Sequence, residues 1–472
     1  MSDFGTLQTA LTGLLAHRRA IEVIGHNIAN ANTDGYTRRR VELQPAGNAS
    51  AASIFATNRR YGSGVEVRTV IRARDEFLDL RQRREAAGDA GATAASKILS
   101  AVEGLMPEPS DTGIAAQLAK FWGAFDDAAA DPSSLPARAA LLEQAKMLTS
   151  TFRQISTSLG DYRAGLVSTL SSDVAAINAD AARVADLNGA IQAAIAAGTD
   201  AHDLMDQRDV VIDRLTSATG ATIRQQDDGT VTINLGGSPL VSGNRSEEIS
   251  VGVGGPLPPP LAAVPMQNVS LSWKRDGYPV AGLGGSLGAK VVGVDDTVPR
   301  WLNELDTVAA TLVSSVNALH STGHGLDTVN DINLNFFDAT GTTAATIDLS
   351  SDVAGQPSRV ALAAGAGGAL DGSLGHTLAA LADSPVGADA LHRSLVGRLG
   401  VEVSGAVSRA AVQSKVAQQA TADRQSATAV SLDEEMTSLV ASQRAYEASA
   451  RVMTAVDQLL DQLINRTGIA GR

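Results

Sequence analysis

Three groups of residues have types and spacings that suit chemistry. Gly284, Ser286 and Gly288 match G-x-S-x-G, the sharp strand-to-helix turn that exposes a hydrolase serine. That turn needs a strand before it, a helix after it, and an Asp and then a His downstream in an α/β frame. Here the flanks are glycine-rich and no repeated βα pattern exists, so the match is of the kind that 45 glycines produce by chance. His320 and His324 have the i, i+4 spacing of two metal ligands, yet Gly323 sits between them at a helix end and no third ligand is apparent. Asp331, Asn333 and Asn335 begin like a calcium loop, but Phe336 replaces the required Gly and Thr342 the closing Glu. Neither a P-loop nor a dinucleotide fingerprint is present. The expectation is a protein that is not an enzyme, with no catalytic residue, no metal site and no cofactor.

With the chemistry weak, the elements carry the reading. A chain of 472 residues predicts roughly three domains and is ample for a buried core. Apolar residues make up 44% but aromatics only 3%, which suits long helices better than a ligand pocket. The formal charge of -13 argues against a phosphate-binding surface, so nucleic acid is not an expected partner. The absence of cysteine excludes disulfides and thiolate chemistry without locating the protein. The first nine residues lack a basic and then apolar leader, and nowhere do about 18 apolar residues run uninterrupted. No membrane is expected, and these rules alone read as soluble and cytoplasmic.

The chain is organised around its two ends, residues 4 to 41 and 431 to 464, which both read as helices with a coiled-coil seam. Phe4, Leu7, Leu11, Leu14, Arg18, Ile21, Gly25 and Ile28 alternate in steps of three and four, as do Leu432, Met436, Leu439, Gln443, Tyr446, Ala450, Met453, Asp457, Leu460 and Ile464. Such a stripe needs a partner helix, and the simplest partner for each end is the other. Leu15, Ile24, Val440, Leu459 and Leu463 flank the seams and widen the stripes enough to bury against further copies. The first helix runs into Asn27, Asn30, Asn32, Thr33, Asp34, Gly35 and Tyr36, a composition that makes a structured turn. Arg38, Arg39 and Arg40 follow, either as a solvated face or gripping acidic neighbours. Ser431 and Glu434 form an S-x-x-E capping box at the start of the last helix.

Between the ends, residues 61 to 72 alternate as a short strand or hairpin arm, and Phe121, Trp122 and Phe125 predict a local core knot. Residues 150 to 198 hold the longest helical pattern, on the order of 65 to 70 Å at the helical rise. A helix over 203 to 218 carries Asp206, Gln207, Arg208 and Asp209. At Gly220 the period switches to strand, with a hairpin turning at Asp228-Gly229 and closing at Gly236-Gly237. A Gly- and Pro-rich loop over 251 to 260 leads to a strand at 269 to 274 and a glycine-dense run, 282 to 288. Helix returns over 298 to 320 and again from Leu391 to about Val430. Residues 326 to 385 carry little information beyond a short strand at 345 to 349, and read as a small outer module or long loop. The fold class is mainly α with β excursions (α+β), elongated. Its divisions are a terminal coiled-coil assembly domain (1–46 and 428–472), a helical rod domain (47–325 and 386–427, with a β region at about 221–290), and the outer module (326–385).

Asn27-Ile28-Ala29-Asn30, Thr33 and Gly35-Tyr36 resemble the N-terminal signature of the bacterial flagellar axial proteins (rod, hook and hook-associated). Leu432-Asp433-Glu434-Glu435 and the run Gln443 to Val452 resemble their C-terminal one. Asp206-Gln207-Arg208-Asp209, Leu240-Val241-Ser242-Gly243 and the helix from Leu305 to His320 resemble the hook-associated protein 1 branch of that family. The resemblance implies a structural, polymerising subunit that joins hook to filament. Its end helices pair as a coiled coil, and folding of these ends, partly disordered beforehand, is coupled to assembly. It implies as partners further copies of the chain in a ring, the hook subunit, the second hook-filament junction protein and an export chaperone. It also implies an extracellular place on the flagellum, reached by type III export without a cleaved signal, which replaces the cytoplasmic expectation. Leu7, Leu11, Leu14, Ile21 and Ile28 are then expected in the inner coil with Met436, Leu439, Tyr446, Met453 and Leu460, and Asn27, Asn30, Gly35 and Tyr36 in the turn that leaves it. The alternatives are another axial protein (the second junction protein or a hook subunit), an esterase using Ser286, and a cytoplasmic coiled-coil scaffold.

Overall fold

Asp75 and Ser134 each start a long helix. The Asp75 carboxylate accepts from the backbone N–H groups of Phe77 and Leu78 at the head of α2 (Glu76–Leu105), and the Ser134 hydroxyl accepts from Ala137 at the head of α4 (Leu135–Ala196). Both supply an acceptor to orphan first-turn donors. The computed structural model describes residues 3–46, 64–257, 266–327, 331–365 and 368–462. Of the residues read into the terminal seams, the Phe4 side chain, Leu463 and Ile464 lie outside the described residues, as does the first part of the strand expected at 61 to 72.

Helix α1 (Asp3–Ala29) leads through a turn to β1 (Arg39–Pro45), which pairs antiparallel with β2 (Val65–Arg72). The N-terminal helix therefore stops at Ala29 rather than running to Val41, because the Asn- and Gly-rich turn ends it and Arg39 to Val41 enter the strand. Helices α2, α3 (Ile114–Ala130) and α4 follow. The 62 residues of α4 span about 93 Å at 1.5 Å per residue. It begins well before Ser150, with Pro136 tolerated in the first turn where no intrahelical donor is lost. Helix α5 (His202–Thr219) ends on Gly220 in the left-handed conformation.

The β region is a four-stranded antiparallel meander, β3 (Thr222–Gln225), β4 (Val231–Leu235), β5 (Ser238–Ser242) and β6 (Arg245–Ser246), beside a ribbon of β7 (Ile249–Pro256) and β8 (Gln267–Trp273). Residues expected as loop from Val251 are thus strand as far as Pro256. Ser250 pairs with Ser272 and Val253 with Val269, and between them Gly252 pairs with Ser270. The glycine-dense run opens a helix, α6 (Gly285–Val292), continued by a π-helical stretch (Gly293–Thr297) into α7 (Val298–His320). Helices α8 (Ser373–Ala379) and α9 (Ala388–Thr428) precede α10 (Leu432–Asp461). The architecture is mainly α with small antiparallel sheets, as the sequence predicts.

Two apolar cores lie along α4. One joins α3, the first half of α4, α7 and the start of α9; the other joins the second half of α4, α5, α6 and the sheets. The expected knot of Phe121, Trp122 and Phe125 is present, but Phe336 and Phe337 complete it, with ring centroids 5.7 and 5.8 Å from Phe121. Phe336, Phe337, Ile347, Val353, Val360 and Leu362 are fully buried in that same core. Residues 331–365 therefore do not stand apart as an outer module; their apolar side chains, thinly spaced among Gly, Asp and Thr, fill the face that α3 and α7 leave open. The strand expected at 345 to 349 reduces to a single bridge between Phe337 and Leu349.

Candidate assembly site: the terminal helix pair and its joint

Helices α1 and α10 pack against one another in opposite directions. Asn27 meets Glu435 through a 3.0 Å hydrogen bond, and a Cβ built on Gly13 would lie 3.1 Å from the Ser449 hydroxyl. Fourteen residues back along α1 thus correspond to fourteen forward along α10. The buried apolar residues of α1 are Ala10, Ala16, Val23 and Ile24. On α10 only Glu435 and Val456 are buried among the described residues.

Small residues let the helices approach closely, so the seam is displaced from the large stripe read in the sequence. Leu7, Leu14, Ile21 and Ile28 are half-buried, as are Leu439, Tyr446, Met453 and Leu460. Leu11 (41%), Leu15 (53%), Leu432 (51%), Met436 (51%) and Leu459 (52%) are exposed. At about 100° per residue, Leu432, Met436 and Val440 lie to one side of the α10 seam and Val452 and Leu459 to the other. Burying the free half of each such side chain stabilises by on the order of 1 kcal/mol. The pair is formed within the single chain; what lacks partners is its outward surface rather than the helices themselves.

The turn leaving α1 is fixed by Asn27, which is 1% exposed and uses every donor and acceptor of its amide. Its Nδ2 donates to the Arg39 carbonyl at 2.9 Å and to Glu435 Oε2 at 3.0 Å. Its Oδ1 accepts from the Arg39 N–H and the Tyr36 hydroxyl, both at 2.9 Å. Asn30 ties the turn internally, donating to the His26 carbonyl and accepting from the Thr33 hydroxyl. Gly35 has φ +77 and faces Val210 of α5, which a Cβ would strike, so a side chain is excluded both by backbone and by space. The Arg39 guanidinium stacks 5.2 Å from the Tyr36 ring centre, and burial pushes the Tyr36 phenol up.

Glu435 is the hinge pin of the C-terminal side. One carboxylate oxygen takes Asn27 and the other takes Arg38 Nε at 2.8 Å, while Glu434 takes Arg38 Nη1 at 2.8 Å. The capping box is therefore half made: the Ser431 hydroxyl accepts from the Glu434 N–H at 3.5 Å, but the Glu434 side chain turns to Arg38 instead of reaching back.

Below this hub, the strand pair rests on one face of α5. Five guanidinium groups (Arg39, Arg72, Arg74, Arg83, Arg424) meet five carboxylates (Asp79, Asp203, Asp206, Asp209, Asp213). Arg72 Nη2 lies 2.6 Å from Asp206 and 2.5 Å from Asp209. Arg83 lies 2.6 Å from Asp213, and Arg424 2.8 Å from Asp79 and 2.7 Å from Asp213. Arg39 pairs with Asp203 and Asp206, and Arg74 with Asp209 and Asp79. Burial opposes ionisation of Asp209, but Arg74, Arg72 and Arg83 outweigh it and hold its carboxyl below the usual carboxylate range. Arg208 points away, donating to Asn188 and the Gly229 carbonyl, and burial brings its guanidinium down to about 10.

Of the two readings of Arg38 to Arg40, gripping acidic neighbours describes Arg38 and Arg39, while Arg40 is exposed. Glu435 entered the sequence reading only as part of the C-terminal signature, and Asp79, Arg72, Arg74, Arg83, Asp213 and Arg424 were not singled out by the sequence. The spacing of Asp203, Asp206, Asp209 and Asp213 on one helix face was the available signal; their partners come from positions up to hundreds of residues away.

The residues that suggested chemistry are otherwise engaged. Gly285, φ +57, lets α6 approach the end of α5, where Gly284 N–H donates to the Thr219 carbonyl. Ser286 lines a cleft of about 850 Å³ whose lining includes Asp213 and Ser217 but no histidine. His320 Nδ1 lies 2.7 Å from the Leu334 carbonyl and its Nε2 accepts from the Ala361 N–H at 2.9 Å, which occupies both ring nitrogens. Asp331 accepts from the Asp327 N–H and pairs with Arg359, closing its own loop.

The sequence matches the flagellar hook-associated protein FlgK helical domain over residues 99–337, more than half of the chain. The chain belongs to the FlgK family of flagellar hook-associated proteins. Its ends match the flagella basal body rod protein family at residues 7–37 and the flagellar basal body rod FlgEFG protein C-terminal family at 423–466. Flagellar hook-associated protein 1 of Bacillus subtilis (strain 168) is 28% identical over 510 residues, covering all of both chains. Flagellar hook-associated protein 1 of Salmonella typhimurium is 27% identical over 323 residues, or 67% of this chain and 57% of the relative. The solved flagellar hook junction protein FlgK from Burkholderia pseudomallei covers 76% of this chain and all of its own with a TM-score of 0.62 at 14% identity, and so shares the FlgK fold.

Proposed function

We propose that this chain is a structural subunit of the bacterial flagellum, an adaptor between hook and filament that polymerises into a ring through α1 and α10. The observation that carries the reading is the pairing of a FlgK-family body with terminal helices whose large apolar residues face outward. Leu11, Leu15, Leu432, Met436 and Leu459 are the exposed part of that surface. Leu7, Leu14, Ile21, Ile28, Leu439, Tyr446, Met453 and Leu460 are half-buried at its margins, poised to bury further against neighbouring copies. Asn27, Asn30, Gly35 and Tyr36 hold the turn that orients this surface on the body. In this reading the terminal region assembles while α2 to α9 form the projecting rod.

The partners are further copies of the chain, the hook subunit below, the second hook-filament junction protein above, and an export chaperone before assembly. The place is the outside of the cell, at the hook-filament junction, reached by export. No helix among the described residues is long and apolar enough to cross a membrane. A role as another axial protein accounts for the matches at the two ends but not for the family match over residues 99–337. An esterase built on Ser286 lacks a histidine in the cleft that Ser286 lines.

Deleting residues 431 to 472 is expected to leave cells with hooks but no filaments, and with filament protein lost to the medium. Filaments of normal length and number in that strain would overturn the reading.

A further inference from the structure

On α4 one apolar core ends before the other begins. The first core runs to Leu159 and the second starts at Leu170. Residues 160 to 169 between them include no buried side chain, although half-buried Leu166 packs against both cores. The helix is weak over the same stretch. A Cβ built on Gly160 or Gly165 would meet nothing within 4 Å, so neither glycine serves a close approach, and each leaves the backbone freer than alanine would. The hydroxyls of Thr169, Ser171 and Ser172 donate to the carbonyls four residues back, those of Gly165, Val167 and Ser168. Such bonds loosen and bend a helix.

The second link between the cores departs from α-helix beside that stretch. The chain from Leu287 and Val294 in one core to Val298 and Trp301 in the other is π-helical over Gly293–Thr297, with the Val298 N–H donating to the Gly293 carbonyl. Pro299 has no N–H to give to the next carbonyl, that of Val294, and Arg163 of α4 supplies it through Nε at 2.8 Å. The Arg163 guanidinium also donates to the Gln267 carbonyl, and Asp295 accepts from the Val269 N–H at 2.8 Å. Each of these ties is a hydrogen bond to backbone. Helices α2 and α9 add side chains to the first core alone, and reach the second half through the approach of Gly91 to Gly285 and the ion pairs of Arg83 and Arg424 with Asp213.

Packed cores resist deformation and move as blocks, whereas an unpacked helix stretch beside a π-helical segment accommodates rotation. We infer that the body bends at this waist, its two cores moving as blocks, and that Arg163 and Asp295 restrain the bend. The hinge lies between α4 and the segment joining α6 to α7, so it does not depend on order in the terminal helices and goes beyond the role proposed above.

The chain has no native cysteine, so paired spin labels can be placed on the full-length protein at exposed positions. One pair spans the boundary, Asn303→Cys on α7 with Ser242→Cys on β5. Ser150→Cys with Asn303→Cys reports the first core, and Ala182→Cys with Ser242→Cys the second. Distance distributions are read by pulsed electron resonance in the parent, in the double variant Gly160→Ala, Gly165→Ala, and in Asp295→Ala. The spanning distribution is expected to be at least about twice as wide as that of either core pair in the parent, as across a hinge. It should narrow by roughly a third in the glycine variant, because alanine stiffens a helix with room for its methyl. Asp295→Ala should widen it, with both core pairs unchanged. A parent spanning distribution no wider than the core pairs overturns the hinge, and so does a width that the glycine variant leaves as it was. Widening of the core pairs by Asp295→Ala to the same extent overturns its part as a restraint.

Discussion

The body and the terminal pair bury their chain by opposite means. In the body, Phe121, Phe125, Phe152, Phe336 and Phe337 are wholly enclosed, and His320 among them is served by backbone, the Leu334 carbonyl and the Ala361 N–H. In the terminal pair, Gly13 lies against Ser449, the buried apolar residues are Ala10, Ala16, Val23, Ile24 and Val456, the amide of Asn27 is 1% exposed, and Leu11, Leu15, Leu432, Met436 and Leu459 face solvent. A core of large side chains is a folded state sufficient to itself. A seam of small ones brings two helices together while leaving their best apolar surface unspent, which is what a subunit needs if its neighbours are to complete it.

The largest contrast is available through acid. Burial brings the His320 imidazole down to about 4, below its ordinary value, so the folded body favours the neutral ring. The stability this carries is whole above the unfolded value near pH 6.5 and is lost as pH falls towards 4, by about 3 kcal/mol for a shift of this size. Denaturant unfolding followed between pH 7 and 4 should show that loss in the body, and His320→Asn should reduce the dependence, leaving the part carried by His392, whose imidazole is also lowered by burial. A body whose stability is level over that range would break the contrast by removing its buried neutral histidine.

A smaller effect is expected at the other end. Asn27→Ala removes four hydrogen bonds and strands one oxygen of Glu435 and the Tyr36 hydroxyl, a cost of about 2 kcal/mol. Hydrogen exchange should place that loss in α1 and the first turns of α10, with the amides of α3, α4 and α7 protected as before. Spread of the effect into those helices would show that the two regions share one cooperative unit.

Much of this was legible in the sequence, for physical reasons that differ between regions. Long helices announced themselves by period, and Asp228-Gly229 and Gly236-Gly237 by their turn chemistry, because both signals are local. The terminal helices and the Asn27 to Tyr36 turn were found from the spacing of Leu and the density of Asn. The facing of the seam was not, since a 3-4 stripe of Leu and a 3-4 stripe of Ala and Gly run side by side on α1, and only the close approach at Gly13 and Ser449 decides which one meets α10. Residues 331–365 were misjudged because their buried Phe336, Ile347 and Leu362 follow no period at all; each is placed by the long-range core it fills. The joint was half-visible, as Asp206 and Asp209 with Arg38 and Arg39, whereas Arg83 and Arg424 join it only through folding of distant chain.

The central claim is that the outward stripes of the terminal pair serve assembly rather than the stability of the single chain. The double variant Leu11→Ser, Met436→Ser tests it directly, with thermal unfolding of the purified chain measured beside its sedimentation with purified hooks. Because both side chains are already exposed, the monomer should change by no more than about 0.5 kcal/mol, while binding to hooks is lost. Binding at the parental level, or a monomer destabilised as a core variant would be, would contradict the account.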